Sequence, residues 1–458
     1  MQRQQRDHVF LEFTKSICPD CREVVDAHVL IRSGKVYMKK RCAKHGFFES
    51  LLSSDSEKYL DSYKFNRAGM TPLEFGTKVV DGCPYDCGLC PDHEQHSCVG
   101  IIEITNACNL RCPTCFASSE GHDFLSLDEV SFMLDQFIRQ EGSPEVVQFS
   151  GGEPTIHPQI LDMIRLAQDK KIKYVMMNTN GIKISKDEDF VRSLAQLNPV
   201  IYLQFDGFKK ETYETLRGED LLDAKMKAIE NMERYNIRIV LVATIQRGVN
   251  EDEIGSLVDF VLSKKAVKGL VLQPTFYSGR HPDVDPLNVV TLHEVIKHAS
   301  EQSNLEETDF VPNPCCFPTC NASCYLYVDD EQVRPLARLV NVEEYLEFFM
   351  NRSVADLGQI KESLKILGSG CCGAADASDS NGMSCCTIPV DLKGIEKNIK
   401  VIMVQAFMDV FNFDVKKVMK CCVHEITPAG KIIPFCAFNN VPKYREDTNL
   451  YYRNRDAK

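Results

Sequence analysis

The sequence predicts an α/β protein: a partial (β/α)6 barrel flanked by cysteine-rich N-terminal and C-terminal metal-binding regions. Two observations carry this. Between residues 100 and 285, short apolar runs alternate with amphipathic segments, the pattern of a parallel sheet with helices outside. The 21 cysteines largely avoid that stretch: seven fall in 1–99, eleven from 286 onward, and only three in the middle, all near its start. The chain therefore divides into 1–99, 100–285 and 286–458.

In the first block, "CPDC" (Cys18, Cys21) is followed by "RSGKVYMKK", which supplies a hairpin turn, and then by "CAKH" (Cys42, His45). Paired knuckles of this kind make a four-ligand mononuclear site, for which zinc and iron fit the spacing equally. Next, "GCPYDCGLCPDHEQHSC" spaces Cys83, Cys87 and Cys90 by three and then two residues, with Cys98 as a fourth thiol. Such a set suits a 4Fe–4S cluster held wholly by protein, serving electron transfer or folding. His93 and His96 read as hydrogen-bonding surface residues.

In the middle block, six buried strands are expected at 100–105, 145–152, 173–181, 200–207, 237–246 and 268–276. Helical spacing marks 126–140, 157–170, 187–197, 221–235 and 252–264, with Ser126 and Asp252 as caps. Six strands suit an open barrel, whose chemistry lies at the carboxyl ends of its strands. Directly after the first strand comes "CNLRCPTCFA", carrying Cys108, Cys112 and Cys115. A structural zinc site wants four protein ligands, so three thiolates on one loop point to a centre with a position left open. The loop at Cys83 has the same spacing, but no Gly-Gly-Glu-Pro turn follows it before the second loop.

The last block offers "NPCCFPTCNASC" and "CCVHEITPAGKIIPFC", from which Cys316, Cys320, Cys422 and Cys436 are read as ligands of a further 4Fe–4S cluster. Residues 368–386 are Gly/Ser-rich and read as a mobile loop, with the pairs Cys371–Cys372 and Cys385–Cys386 as small buried hydrophobes. A net charge of −12 argues against a nucleic-acid backbone as main partner. No signal-peptide pattern is read at the N-terminus, and no apolar run approaches the ~18 residues of a membrane span. A cytoplasmic chain keeps its thiols reduced, so this many cysteines point to metal centres.

The three-cysteine loop, together with "SGGEPT" (150–155), "NTNG" (178–181) and "QFDG" (204–207), resembles the radical S-adenosylmethionine (SAM) superfamily. The resemblance implies that Cys108, Cys112 and Cys115 hold three irons of a 4Fe–4S cluster whose fourth iron binds SAM. It implies that Gly151 and Gly152 permit close backbone approach, that Glu153 accepts from the SAM ammonium, and that Asn178 and Asn180 reach the ribose. Gln204 and Asp206 face the same pocket. The residue before the third cysteine is commonly aromatic in that superfamily; here it is Thr114, with Phe116 after the cysteine.

Over about residues 15–440, "CPDC…CAKHG", "GCPYDCGLCPDHEQHSC", "CNLRCPTCFA", "NPCCFPTC" and "GKIIPFC" together resemble the archaeal tetraether lipid synthase group. That resemblance implies three 4Fe–4S clusters, one binding SAM and two auxiliary, plus one mononuclear iron or zinc. It also implies a 5′-deoxyadenosyl radical used to join unactivated sp³ carbons of two lipid tails. The expected partners are a phospholipid or ether lipid and a low-potential electron donor such as ferredoxin or flavodoxin. The expected form is a cytoplasmic monomer, peripheral at the inner membrane face. Residues 342–350 and 399–413, rich in Met and Phe, are expected to line an apolar channel for the tail. The alternatives are a radical SAM C-methylase acting on a pterin precursor and a non-catalytic iron–sulfur electron carrier.

Overall fold

The computed structural model describes residues 7–117, 119–329, 332–339, 350–352 and 398–456. Four strands near the N-terminus, β1 (Val9–Ile17), β2 (Val24–Arg32), β3 (Lys35–Cys42) and β4 (Gly46–Ser53), form an antiparallel meander in chain order. Ser33 and Gly34, with φ of 51° and 74°, make the two-residue β2–β3 turn, where positive φ matches the twist of the strands.

Among the described residues the other strands form a second sheet of eleven. The six expected strands are present as β5 (Val99–Thr105), β6 (Val146–Gly151), β7 (Tyr174–Thr179), β8 (Val200–Gln204), β9 (Arg238–Ile245) and β10 (Val267–Pro274). Each pairs in parallel with the next. Helices Leu127–Glu141, Ile160–Asp169, Glu188–Leu197, Leu222–Arg234 and Ile254–Ser263 cross between them. Their apolar stripes, such as Val130, Met133, Leu134 and Phe137, pack on outward strand residues such as Ile102, Phe149 and Met177. Because strand residues alternate in direction, the other set faces inward and lines a cavity of about 880 Å³.

Ser126 caps its helix in full: its hydroxyl accepts from the Glu129 amide, and the Glu129 carboxylate accepts from the Ser126 amide at 2.7 Å. Asp252 does not cap. Its helix starts at Ile254 behind a 3-10 turn, and Asp252 points outward to pair with Lys209. The acid at the helix entry is Glu253, which turns back to accept from the Lys209 amide (3.1 Å) and the Thr212 hydroxyl (2.6 Å).

The C-terminal residues extend the same sheet at both edges. β11 (Asn321–Val328), β12 (Val333–Pro335) and β13 (Ile399–Gln405) join beyond β10, with β13 parallel to β10. β14 (Val423–Ile426) runs parallel to β5 on the opposite edge, with β15 (Ile432–Pro434) outside it. Segment 406–422 thus passes from the carboxyl end of β13 to the start of β14, along the open seam of the barrel. The N-terminal sheet grips this segment: Lys40 Nζ donates to Val410 O (2.6 Å), Ser50 Oγ to Phe411 O (2.8 Å) and Thr14 Oγ1 to Asp414 Oδ1 (2.6 Å).

Of the residues expected to line a lipid channel, Ile399–Gln405 is a barrel strand and 342–349 lie outside the described residues, as do Cys371, Cys372, Cys385 and Cys386. No helix among the described residues is long and apolar enough to cross a membrane.

Candidate active site

Cys108, Cys112 and Cys115 all line the barrel cavity, on the loop that leaves β5. The loop is held from the far side by Arg280. Cys115 and Arg280 exchange backbone hydrogen bonds of 2.8 and 2.9 Å, and the Arg280 guanidinium donates to Cys112 O (2.8 Å) and to Glu120 (2.6 Å). Phe116 packs on Phe276 and Phe435, with ring centroids 5.6 and 5.3 Å away, and lines the cavity beside Thr114. Burial pushes the Cys108 thiol up to about 11, with the Glu153 carboxylate and the other two thiols adding to the rise. Burial raises Cys112 as well, against the pull of Arg217. Thiols gathered on one loop become thiolates when a metal supplies positive charge among them. The donor set therefore fits an iron–sulfur cluster.

The Gly151–Gly152 turn does approach a backbone closely, but the partner is the root of the cysteine loop. Gly152 N donates to Thr105 O (2.7 Å) and Glu153 N to Ala107 O (2.9 Å). A Cβ on Gly151 would overlap the Thr105 carbonyl oxygen, and one on Gly152 the Ala107 carbonyl oxygen. Gly151 also has a φ of 126°, which disfavours any side chain.

Glu153 is 1 % exposed, and its carboxylate accepts four hydrogen bonds from within the chain. Oε1 accepts from the Thr155 amide (3.1 Å), the Thr155 hydroxyl (2.5 Å) and the Thr179 hydroxyl (2.7 Å), and Oε2 from the Asn180 amide (2.7 Å). Its observed work is to tie the turn after β6 to the turn after β7, where an ammonium contact was expected.

Asn178, Asn180 and Gln204 line the cavity; Asp206 does not. Asp206 is fully buried and takes a two-pronged ion pair from Arg217, with Nε–Oδ2 2.8 Å and Nη2–Oδ1 2.6 Å, plus the Thr244 amide at 3.0 Å. The group facing the cavity is therefore Arg217, held charged by that carboxylate against the pull of burial. Below it, Lys225 Nζ donates to Asn180 O (2.5 Å) and Gln204 Oε1 (2.9 Å), and burial lowers its pKa to about 8. Sequence reading missed both cations. Lys225 could have been found, since it shares the buried stripe of its helix with Ala228, Ile229 and Met232.

Most of the remaining cysteines among the described residues gather in three places. Ligand atoms of Cys18, Cys21, Cys42 and His45 lie within 4.8 Å of one another, on the knuckles after β1 and β3. His45 Nδ1 is 3.5 Å from both Cys18 and Cys42, and backbone amides of Lys44 and His45 lower the Cys42 thiol to about 6. Cys83, Cys87 and Cys90 line a small pocket with His93 and Met419.

Cys98 does not join them. Its thiol lies within 4.8 Å of those of Cys315 and Cys422, and Cys315 and Cys422 are 3.6 Å apart. The reason is sheet pairing: β14 runs beside β5 with Val423 opposite Val99, so the residues just before each strand become neighbours, and Cys98 N donates to Cys422 O (2.9 Å). Cys316 and Cys320 complete this buried cluster, whereas Cys436 lies apart among Phe413, Phe435 and Phe438, accepting from Met408 N (3.3 Å). His93 and His96 make hydrogen bonds, as expected, but off the surface: His93 is 5 % exposed and reaches Cys421 O (2.9 Å), while His96 meets Glu141 (3.0 Å).

A three-thiol loop at the mouth of a parallel barrel is the site of a radical SAM enzyme, and residues 102–261 match the family described as the radical SAM superfamily. Residues 10–54 match the family described as the HMPTM N-terminal zinc ribbon domain. The 7,8-dihydro-6-hydroxymethylpterin dimethyltransferase of Methanocaldococcus jannaschii is 32 % identical over 474 residues, covering 93 % of each chain. The chain belongs to the radical SAM superfamily, in the family of that dimethyltransferase. A probable GTP 3′,8-cyclase of Thermococcus kodakarensis is 30 % identical over 180 residues, covering 38 % of this chain and 54 % of that one. Among solved structures, Streptococcus suis SuiB bound to precursor peptide SuiA aligns over 46 % of each chain, at 19 % identity and a TM-score of 0.39. The reading as a tetraether lipid synthase is overturned: the relative matched along nearly its whole length is named for pterin dimethylation.

Proposed function

We propose that the protein is a radical SAM methylase acting on a dihydropterin with a 6-hydroxymethyl group. The observation that carries this is the 32 % identity over 93 % of both chains to an enzyme named for that reaction. The site supports it, since the three-thiol loop opens onto a cavity large enough for a cofactor and a small bicyclic substrate. When bound, SAM and a reduced 4Fe–4S cluster supply one-electron chemistry able to open an unactivated C–H bond. Cys108, Cys112 and Cys115 would hold that cluster. Arg217, fixed by Asp206, offers a guanidinium suited to a carboxylate such as that of SAM. The inward valines and methionines of the strands keep water from the reacting carbon.

The auxiliary sites follow the three gatherings of cysteine. Cys98, Cys315, Cys422 and one of Cys316 or Cys320 form one 4Fe–4S set. Cys83, Cys87 and Cys90 anchor a second, and the Cys18, Cys21, Cys42 and His45 ribbon takes a single zinc or iron. Electrons enter from a low-potential donor such as ferredoxin or flavodoxin. Anaerobically reconstituted protein, given SAM, a reductant, an added one-carbon donor and 7,8-dihydro-6-hydroxymethylpterin, should yield 5′-deoxyadenosine and a pterin heavier by one methylene unit per methylation. Deoxyadenosine formed without any change in the pterin, across the range of added one-carbon donors, would refute the substrate.

A further inference from the structure

The cavity is not polar evenly along its length. Near the cysteine loop it carries Arg217 and the strand-end amides, and at the opposite mouth Lys173, Arg238 and Lys268. Between these ends the inward positions are mostly valine, leucine, isoleucine and methionine, and the polar residues among them include Gln148 on β6, Tyr202 on β8 and Gln273 on β10. Gln273 Nε2 donates to the Tyr202 hydroxyl at 3.3 Å. Gln148 is different. It is only 9 % exposed, opens onto the cavity, and its side-chain amide has no hydrogen-bond partner among the described residues.

An amide that faces the cavity and makes no hydrogen bond to the described residues is available to pair with a polar group that enters the cavity. A neutral polar group suits it, because an amide carries no net charge of its own. An amide also presents one donor and one acceptor in one plane. It therefore matches a ring edge on which a donor and an acceptor sit side by side, as the amino–oxo pyrimidine half of a pterin does. Depth agrees with this. Gln148 lies three residues before Gly151, which at ~3.3 Å per residue puts it roughly 10 Å below the Gly-Gly turn and leaves the upper cavity to SAM.

We propose that Gln148, with the Tyr202–Gln273 pair across the barrel, recognises the planar ring of the substrate, Gln148 pairing its amide with adjacent donor and acceptor atoms of that ring. This rests on the pterin reading and names the residues that would make it specific.

The test uses anaerobic, SAM-loaded full-length protein and the fluorescence of 7,8-dihydro-6-hydroxymethylpterin to measure binding. Gln148→Leu should raise the Kd for the pterin about 10- to 100-fold, the worth of one or two hydrogen bonds in a dry site, while leaving the Kd for SAM unchanged. Tyr202→Phe, which keeps the ring and removes the hydroxyl, should weaken pterin binding about 3- to 10-fold. The melting midpoint of Gln148→Leu should not fall, because the amide removed had no partner. Wild-type pterin affinity in Gln148→Leu overturns the assignment of Gln148 and leaves the pterin reading standing. A raised Kd for SAM with unchanged pterin binding gives Gln148 to the cofactor and overturns it too. Failure of the wild-type protein to bind the pterin at all refutes the substrate reading, and this inference with it.

Discussion

Replacing Gly152 with alanine adds a single methyl group, and the structure makes its effect calculable. The new Cβ would fall within the van der Waals shell of the Ala107 carbonyl oxygen, one residue before Cys108. Neither atom is at the end of a flexible side chain, so backbone must give, by on the order of 1 Å in a close-packed interior. The Gly152–Thr105 and Glu153–Ala107 hydrogen bonds, at 2.7 and 2.9 Å, span this contact and would lengthen or break. Losing two such bonds costs ~1–3 kcal/mol, and overpacking adds ~1–3 kcal/mol. The melting midpoint should drop by roughly 2–6 °C, leaving a folded protein at room temperature. Catalysis should suffer more, because a displacement of ~1 Å in a positioned site costs ~100-fold in rate. All three cysteines remain, so iron content should hold while 5′-deoxyadenosine formation collapses. A Gly152→Ala protein that cleaves SAM at the wild-type rate would refute the claim that this turn sets the position of the cysteine loop.

Three further outcomes are expected. Asp206→Ala leaves the Arg217 guanidinium, 10 % exposed, without its carboxylate, and should destabilise the fold by ~3–5 kcal/mol in urea denaturation. Cys98→Ala should reduce bound iron by about four atoms and remove the same spectroscopic signal as Cys422→Ala, while the centre at Cys83, Cys87 and Cys90 persists; loss of the latter signal instead would restore the grouping by sequence. Lys400 Nζ caps the end of helix Ile254–Ser263 through Val261 O and Lys264 O, both at 2.6 Å, and burial lowers its pKa to about 8. Between pH 8 and ~10.4 the unfolded state then binds more protons than the folded one, so this residue makes stability rise with pH across that window. Lys400→Met should reduce that rise, leaving the share of Lys225, whose pKa is lowered in the same way, and an unchanged slope would show that Lys400 is not titrating in the fold.

The six central strands were legible because a parallel strand covered on both faces is a bare apolar run. The Ser126 capping box was legible for a local reason as well. What escaped the sequence reading depends on contacts distant in the chain. β14 is four residues long and contains His424 and Glu425, so no run marks it, and its pairing with β5 alone decides that Cys98 belongs with Cys422. Ile399–Gln405 was visibly apolar, but nothing local distinguishes a strand that seals a barrel from the lining of a groove. Glu153 and Asp206 were found as functional positions, yet their partners, Thr179 at the end of β7 and Arg217 in the crossover after β8, are brought to them only by the fold. A reading confined to strand ends therefore left each carboxylate free for a ligand.

The seam of the barrel has a consequence in time. The six central strands and the cysteine loop are complete once residue 274 has been made, but the two strands that flank the opening, and the segment running between them, come from 399–426. A chain synthesised from its N-terminus therefore holds Cys108, Cys112 and Cys115 on a half-built wall, reachable from the side, until its last part arrives. The same is true of Cys98, whose partner Cys422 is among the latest residues to appear. Maturation of the metal centres and closure of the barrel are thus set in an order by the topology: iron delivered before the final strands dock meets open thiols, and iron delivered afterwards must pass through the mouths of a finished cavity.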